Sequence, residues 1–189
     1  MFDKILVAID RSPANQEVVQ QAISIAKANK ARLLLLHVLS GEEEDSPIMS
    51  LYPTAGDHYL HLNPKIGRLA NEIYHRQWKA FENQGLEMLR NFAKDAIAAG
   101  IPTEFSQITG HPSSTICDFA LSCHADAIVI GRRGHSGWKE LFLGSVSNHV
   151  VHHAPCSVLL VRTANCQNHQ SISEEAESTT YSGIVESEL

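Results

Sequence analysis

The 189-residue sequence has no apolar run long enough to cross a membrane. Runs such as Leu33–Leu36 and Ala127–Ile130 fall far short of the roughly 20 residues a spanning helix needs. Cysteine is scarce. Cys117, Cys123, Cys156 and Cys166 form no C-x-x-C pair, and their spacing suits neither a zinc site nor a disulfide framework. That usage makes a reducing, cytoplasmic location the default expectation. No charged and apolar leader pattern precedes the first strand, so no signal peptide is expected. Basic residues are also few, with 15 Lys+Arg against 21 Asp+Glu and a net charge of −6. A globally basic nucleic-acid binder is therefore excluded, although a local basic patch is not. No G-x4-G-K-[ST] motif occurs, and no G-x-G-x-x-G follows the first strand.

What is present is an alternation of short apolar strands with amphipathic segments. KILVAID over Lys4–Asp10 is almost continuously apolar, as a strand covered on both faces must be. Ser12-Pro13 reads as the start of a helix, with serine as cap and proline at its first position. Val18, Val19, Ala22, Ile25 and Ala26 form its apolar stripe. A second apolar strand covers Ala31–Leu39. Residues 41–66 then interrupt the rhythm with the acidic run Glu42–Asp45 and with Pro47, Pro53, Gly56 and Pro64, and are expected to form a long inserted loop. The acidic run is read as a solvated charge cluster.

A long helix is expected from about Gly67 to Ala99, with Trp78, Phe81, Leu89, Phe92 and Ala96 at helical spacing. Gly85 falls within that stripe, which signals a close contact or a weak point. Gly100 caps the helix end. Thr103–Thr109 is a more polar strand, suited to a sheet edge. A helix from Gly110-His111-Pro112, a strand over Ala127–Gly131, a glycine-rich loop, a helix from Gly144 to about Ala154 and a strand over Ser157–Arg162 complete the pattern. Such alternation defines an α/β fold, a doubly wound parallel sheet with helices on both faces. In such sheets ligands bind beyond the carboxyl ends of the strands. Thr163–Leu189 has five Glu and no Lys or Arg, and reads as an acidic, disordered tail beside a 1–162 domain. Without that tail, 16 acidic residues face 15 basic ones, so the folded body is nearly neutral.

Chemistry concentrates after the fourth strand, in the spacing G-x2-G-x9-G-S formed by Gly131, Gly134, Gly144 and Ser145. Glycines let a backbone approach a ligand closely. A helix opening at Gly144-Ser145 offers free N–H groups to an anion, and Ser145 and Ser147 offer hydroxyls to phosphate oxygens. Arg132, Arg133 and Lys139 either neutralise phosphate charge or form a solvated basic loop. Asp10 either accepts ribose hydroxyls or caps the turn that follows it. His149 and His153 lie four apart, but HVVH lacks the glutamate of HExxH and a third ligand, so no metal is assigned. Cys156 reads as a small hydrophobe rather than a reactive thiol.

Together the first strand to Asp10, the pair His37-Val38, the IVIG strand, the glycine spacing and the closing run HAPCSVLLV over His153–Val161 resemble the universal stress protein family, in particular its ATP-binding branch. The likeness runs over residues 3–162. It implies a five-stranded sheet of order 3-2-1-4-5, a homodimer formed through the fifth strand, and ATP, alone or with Mg²⁺, between the first and fourth strands. Carried over by position, Ala8, Ile9 and Asp10 would lie beside adenine and ribose, and Val38 would meet the adenine through its backbone. Ile130, Gly131, Arg132 and Gly134 would begin the phosphate loop, and Gly144, Ser145, Val146 and Ser147 would finish it.

The function this implies is a cytoplasmic, ATP-binding stress-response protein that acts as a dimeric sensor or regulator. Its protein partner is not specified, and neither membrane nor nucleic acid is expected as a partner. No catalytic residues are assigned. His135 is the one candidate base near the glycines, so any ATP hydrolysis should be slow. Two other readings stay open. A nucleotidyl-transferase-like enzyme would carry a dedicated signature after the first strand, which Asp10-Arg-Ser-Pro13 does not match, and an electron-transfer flavoprotein would be yellow. A nucleotide-free interaction scaffold would use the 41–66 segment as its partner arm.

Overall fold

The computed structural model describes residues 1–43, 46–47, 64–132 and 143–162. The elements are β1 (Lys4–Ile9), α1 (Asn15–Asn29), β2 (Arg32–Leu39), α2 (Pro64–Ala98), β3 (Thr103–Thr109), α3 (Pro112–Ser122), β4 (Ala127–Arg132), α4 (Ser145–His153) and β5 (Ser157–Arg162). The five strands form one parallel sheet in the order β3-β2-β1-β4-β5. β1 is central and polar β3 lies at one edge, as its composition predicts.

Alternate residues along each strand feed opposite faces. Ile5, Val7 and Ile9 of β1, with Leu33 and Leu35 of β2, pack under α1 and α2. Leu6 and Ala8, with Leu34, Leu36 and Val38, pack under α3 and α4. This two-sided burial explains why β1 and β2 read as unbroken apolar runs. The chain winds from β1 toward β2 and β3 on one side, and toward β4 and β5 on the other. The loops leaving β1 and β4 therefore diverge and leave a crevice between them.

Two boundaries differ from the sequence reading. α1 begins at Asn15 after Ala14, not at Ser12-Pro13. An oxygen of Asp10 accepts the Ser12 N–H at 3.0 Å, the Ser12 carbonyl accepts the Asn15 N–H at 3.2 Å, and the Asn15 amide donates to the Asp10 carbonyl. These bonds hold residues 10–14 as a turn, so the serine never caps the helix. α2 begins at Pro64, three residues before Gly67, so the expected loop gives up its last three residues. Proline suits that first position because its missing N–H would have no helical partner. Most of the remaining 41–66 segment and all of the 163–189 tail lie outside the described residues.

α2 ends as expected. Gly100 adopts φ +84°, its N–H bonds to the Ile97 carbonyl at 2.9 Å, and the Ile101 N–H bonds to the Ala96 carbonyl at 3.0 Å. At the same amino-terminal rim of the sheet, Asp126 accepts the N–H groups of Asp3 and Lys4, both at 2.8 Å, tying the start of β4 to that of β1. The bond from Lys4 and then that from Asp3 hold its carboxyl below the usual carboxylate range. A depressed folded-state pKa contributes stability above the unfolded value and loses it as pH falls through the folded one. Urea unfolding of Asp126→Asn should therefore show a flatter loss of stability than wild type between neutral and strongly acidic buffer. Parallel acid limbs for the two proteins would refute this role.

Candidate functional site

A cleft of about 880 Å³, counting space open to solvent, lies over the carboxyl ends of β1, β2 and β4. Its wall changes character across the sheet. Ala8, Leu36, Val38 and Ile130 from the strands, with Pro112 and Ile116 of α3, make an apolar slot. Asp10 and Asn15 follow beside β1. Gly131 and the run Gly144–Ser147 close the β4 side, and Ser40, Glu42 and Glu43 stand on the turn after β2.

The β4 side is built to meet negative charge. Gly144 caps α4 with no side-chain hydrogen bond, and the first helical bond runs from the Asn148 N–H to the Gly144 carbonyl at 2.9 Å. The N–H groups of Ser145, Val146 and Ser147 therefore lie ahead of the helical ladder. The first turn carries no acidic residue that would offset the positive end of the helix dipole. Ser145 is exposed and lines the cleft. Ser147 differs from expectation. It is buried, and its hydroxyl donates to the Gly144 carbonyl at 3.0 Å, so its donor is engaged within the helix's own first turn.

Of the residues singled out from sequence, Ala8, Ile9, Asp10, Val38, Ile130, Gly131, Gly144, Ser145, Val146 and Ser147 all meet in this one cleft. Arg132 does not line it. It ends β4 in register with Arg162 of β5. Gly134, Arg133, His135 and Lys139 lie outside the described residues. At Gly131 an added Cβ would sit 3.1 Å from a Val18 methyl carbon, so glycine there also serves the packing of α1 on β4. Asp10 engages the turn that follows it, the second of its two sequence readings.

The structure also adds residues. Leu36 lies two before Val38 on the same face, and Ile116 belongs to the α3 stripe, so periodicity could have found both. Glu43 corrects the reading of Glu42–Asp45 as a solvated run. Glu42 is exposed, with one oxygen 3.5 Å from His111 Nε2, whereas Glu43 is only 7% exposed and contacts buried His37. Glu44 and Asp45 lie outside the described residues.

The remaining candidates resolve simply. The His149 and His153 rings stack at 4.0 Å, and His153 Nδ1 lies 2.9 Å from the His149 carbonyl. No group of three His, Cys, Asp or Glu side chains suited to a metal occurs among the described residues. Burial pushes the Cys117 and Cys156 thiols up, which disfavours the reactive thiolate. Phe81 is buried and Trp78 half-buried, with the Arg11 guanidinium 4.7 Å above the Phe81 ring. No helix among the described residues is long and apolar enough to cross a membrane.

A five-stranded parallel sheet of order β3-β2-β1-β4-β5, with an uncapped helix start at its switch point, defines a doubly wound α/β protein. The universal stress protein family model matches residues 1–162, the whole span from β1 to the end of β5. A universal stress protein of Synechocystis is 34% identical over 161 residues, covering 85% of this chain and 98% of that protein. The chain belongs to the universal stress protein family. Solved structures share the fold. Universal stress protein UspA from Lactobacillus plantarum superposes with a TM-score of 0.61 at 24% identity, over 85% of this chain and 97% of the other. A family protein from Arabidopsis thaliana, solved with AMP bound, gives 0.56 at 22%, over 87% of this chain and 94% of the other.

Proposed function

We propose that the cleft binds an adenine nucleotide, ATP in particular, and that the protein acts as a cytoplasmic, dimeric stress-response sensor or regulator. The observation that carries this reading is the polarity of the cleft, with an apolar slot near β2, a carboxylate at Asp10, and free N–H groups at the start of α4. That sequence of surfaces matches a base, a ribose and a phosphate chain in order. Fold relatives solved with AMP, cAMP and dAMP support a nucleotide as the ligand class. The G-x2-G-x9-G-S spacing favours a longer phosphate chain, with or without Mg²⁺. Residues 1–162 would form the binding domain, with 163–189 as an appended acidic tail. No residue is assigned to hydrolysis.

The homodimer would form through β5, an edge strand whose Leu159 is 41% exposed. Light scattering should give twice the chain mass at micromolar concentration, and a monomer would overturn that assembly.

Calorimetric titration of the purified protein with ATP and with AMP, each with and without Mg²⁺, tests the binding. Saturable binding is expected. No binding across physiological concentrations would overturn the reading in favour of a nucleotide-free scaffold. Gly144 has φ −58° and ψ 156°, a conformation valine tolerates. Gly144→Val should therefore fold, yet lose at least about tenfold in affinity by standing a branched side chain before the N–H groups.

A further inference from the structure

We infer that the His37–Glu43 pair holds one shared proton in the wall of the cleft, and that nucleotide binding is coupled to its retention. The coupling rests on the nucleotide reading above; the proton does not. His37 is fully buried, one polar ring within the otherwise aliphatic run Leu33–Leu39 of β2. Its Nε2 lies 3.0 Å from an oxygen of Glu43, and its Nδ1 lies 3.3 Å from the side-chain oxygen of Gln107. The Gln107 amide has its orientation set from outside, because its nitrogen donates to the Glu82 carbonyl of α2 at 3.0 Å. The opposite orientation would place that side-chain oxygen against a carbonyl oxygen.

Both imidazole nitrogens therefore face oxygen acceptors. A neutral imidazole has a single N–H, so one of the two contacts would set lone pair against lone pair where no water reaches. One additional proton removes the conflict. It sits on the ring, giving an imidazolium beside a carboxylate, or on Glu43, which then donates to Nε2. The proton count is the same in both forms. Among the described residues, the second, buried Glu43 oxygen has no hydrogen-bond partner, a costly position for an ionised carboxylate without a counter-charge.

Glu43 also lines the cleft, so the pair acts on the ligand's surroundings. With its proton the pair is neutral. Without it the pair is an anion, and one of its hydrogen bonds becomes a repulsion that loosens the turn carrying Glu43. Around the pair, Glu42 lies on the same turn with an oxygen 3.5 Å from His111 before α3, Arg11 after β1 bonds Gln84 of α2 at 2.8 Å, and α2 reaches the pair through the Glu82 carbonyl and Gln107. Asp10, Glu42 and Glu43 all line the cleft, so a further negative charge there works against a polyanionic ligand.

AMP affinity of the full chain, measured by calorimetry from mildly acidic to alkaline buffer, tests the coupling. Wild type should weaken as pH rises, by up to about tenfold per pH unit where the pair loses its proton. Glu43→Gln offers an amide donor to a neutral His37 Nε2, so every bond is made without the extra proton. Its profile should lack that slope, while titration of AMP's own phosphate is common to both proteins. Identical slopes would overturn the coupling. Nitrogen and carboxyl NMR shifts of His37 and Glu43 in ligand-free wild type count the proton directly. A neutral ring with one bare nitrogen beside an ionised Glu43 at neutral pH would overturn the shared proton. If wild type binds no nucleotide, the functional reading and the coupling both fall, while the NMR result still decides the proton.

Discussion

Leu89→Ala should lower the free energy of unfolding by about 2–5 kcal/mol. Leu89 is fully buried on the inner face of α2, within the cluster that seals the sheet against Leu33, Leu35 and α1. Truncation removes apolar area from the core and leaves a cavity that the neighbouring strands cannot close, because β2 is held in register on both sides. Against a typical total of about 5–15 kcal/mol, that loss is a large share. Urea titration should show a lower midpoint with an unchanged slope. A loss below about 1 kcal/mol would mean that α2 does not cover this face in solution.

One turn earlier, the opposite change in volume should also destabilise. Gly85→Ala ought to gain about 1 kcal/mol from helix propensity alone. Packing decides the sign. A Cβ at Gly85 would lie 2.6 Å from the Gln107 side-chain oxygen, 2.7 Å from His37 Nδ1 and 2.8 Å from His37 Cε1. Gln107 is tethered to Glu82, and His37 has no exposed side toward which to retreat. Overpacking of this kind costs about 1–3 kcal/mol, enough to cancel the propensity gain and exceed it. The same push bears on Glu43 through His37, so nucleotide affinity should fall together with stability. A stabilised variant with unchanged affinity would show that α2 sits farther from β2 than described.

Legibility in the sequence followed burial. β1 and β2 are covered on both faces, so their apolar runs are unmistakable, and polar β3 declared itself an edge. The glycine spacing located the β4 side of the cleft because helix starts and close backbone approach demand particular residues. The start of α1 departs from its cap pattern because Asp10 and Asn15 tie Ser12-Pro13 into a turn, a pairing that lies between elements rather than within one. The burial of Glu43 is hidden in the sequence because an acidic run normally faces water. The available signal was His37 itself, since a histidine inside an aliphatic strand needs polar partners, and an acid six residues later is within reach around the strand end.

The central strand of this sheet is also the first to be synthesised. β1 gains β2 within a few dozen residues, but its other neighbour is β4, joined to it from the Ile5–Ala127 register onward. A growing chain must therefore leave one flank of its most apolar strand unpaired until more than a hundred further residues have emerged. Long-range parallel pairing of this kind is slow and leaves strand edges open to neighbouring chains. The fragment still attached to the ribosome, rather than the finished protein, is where this sequence is most exposed to misassembly, and where help from a chaperone would matter most.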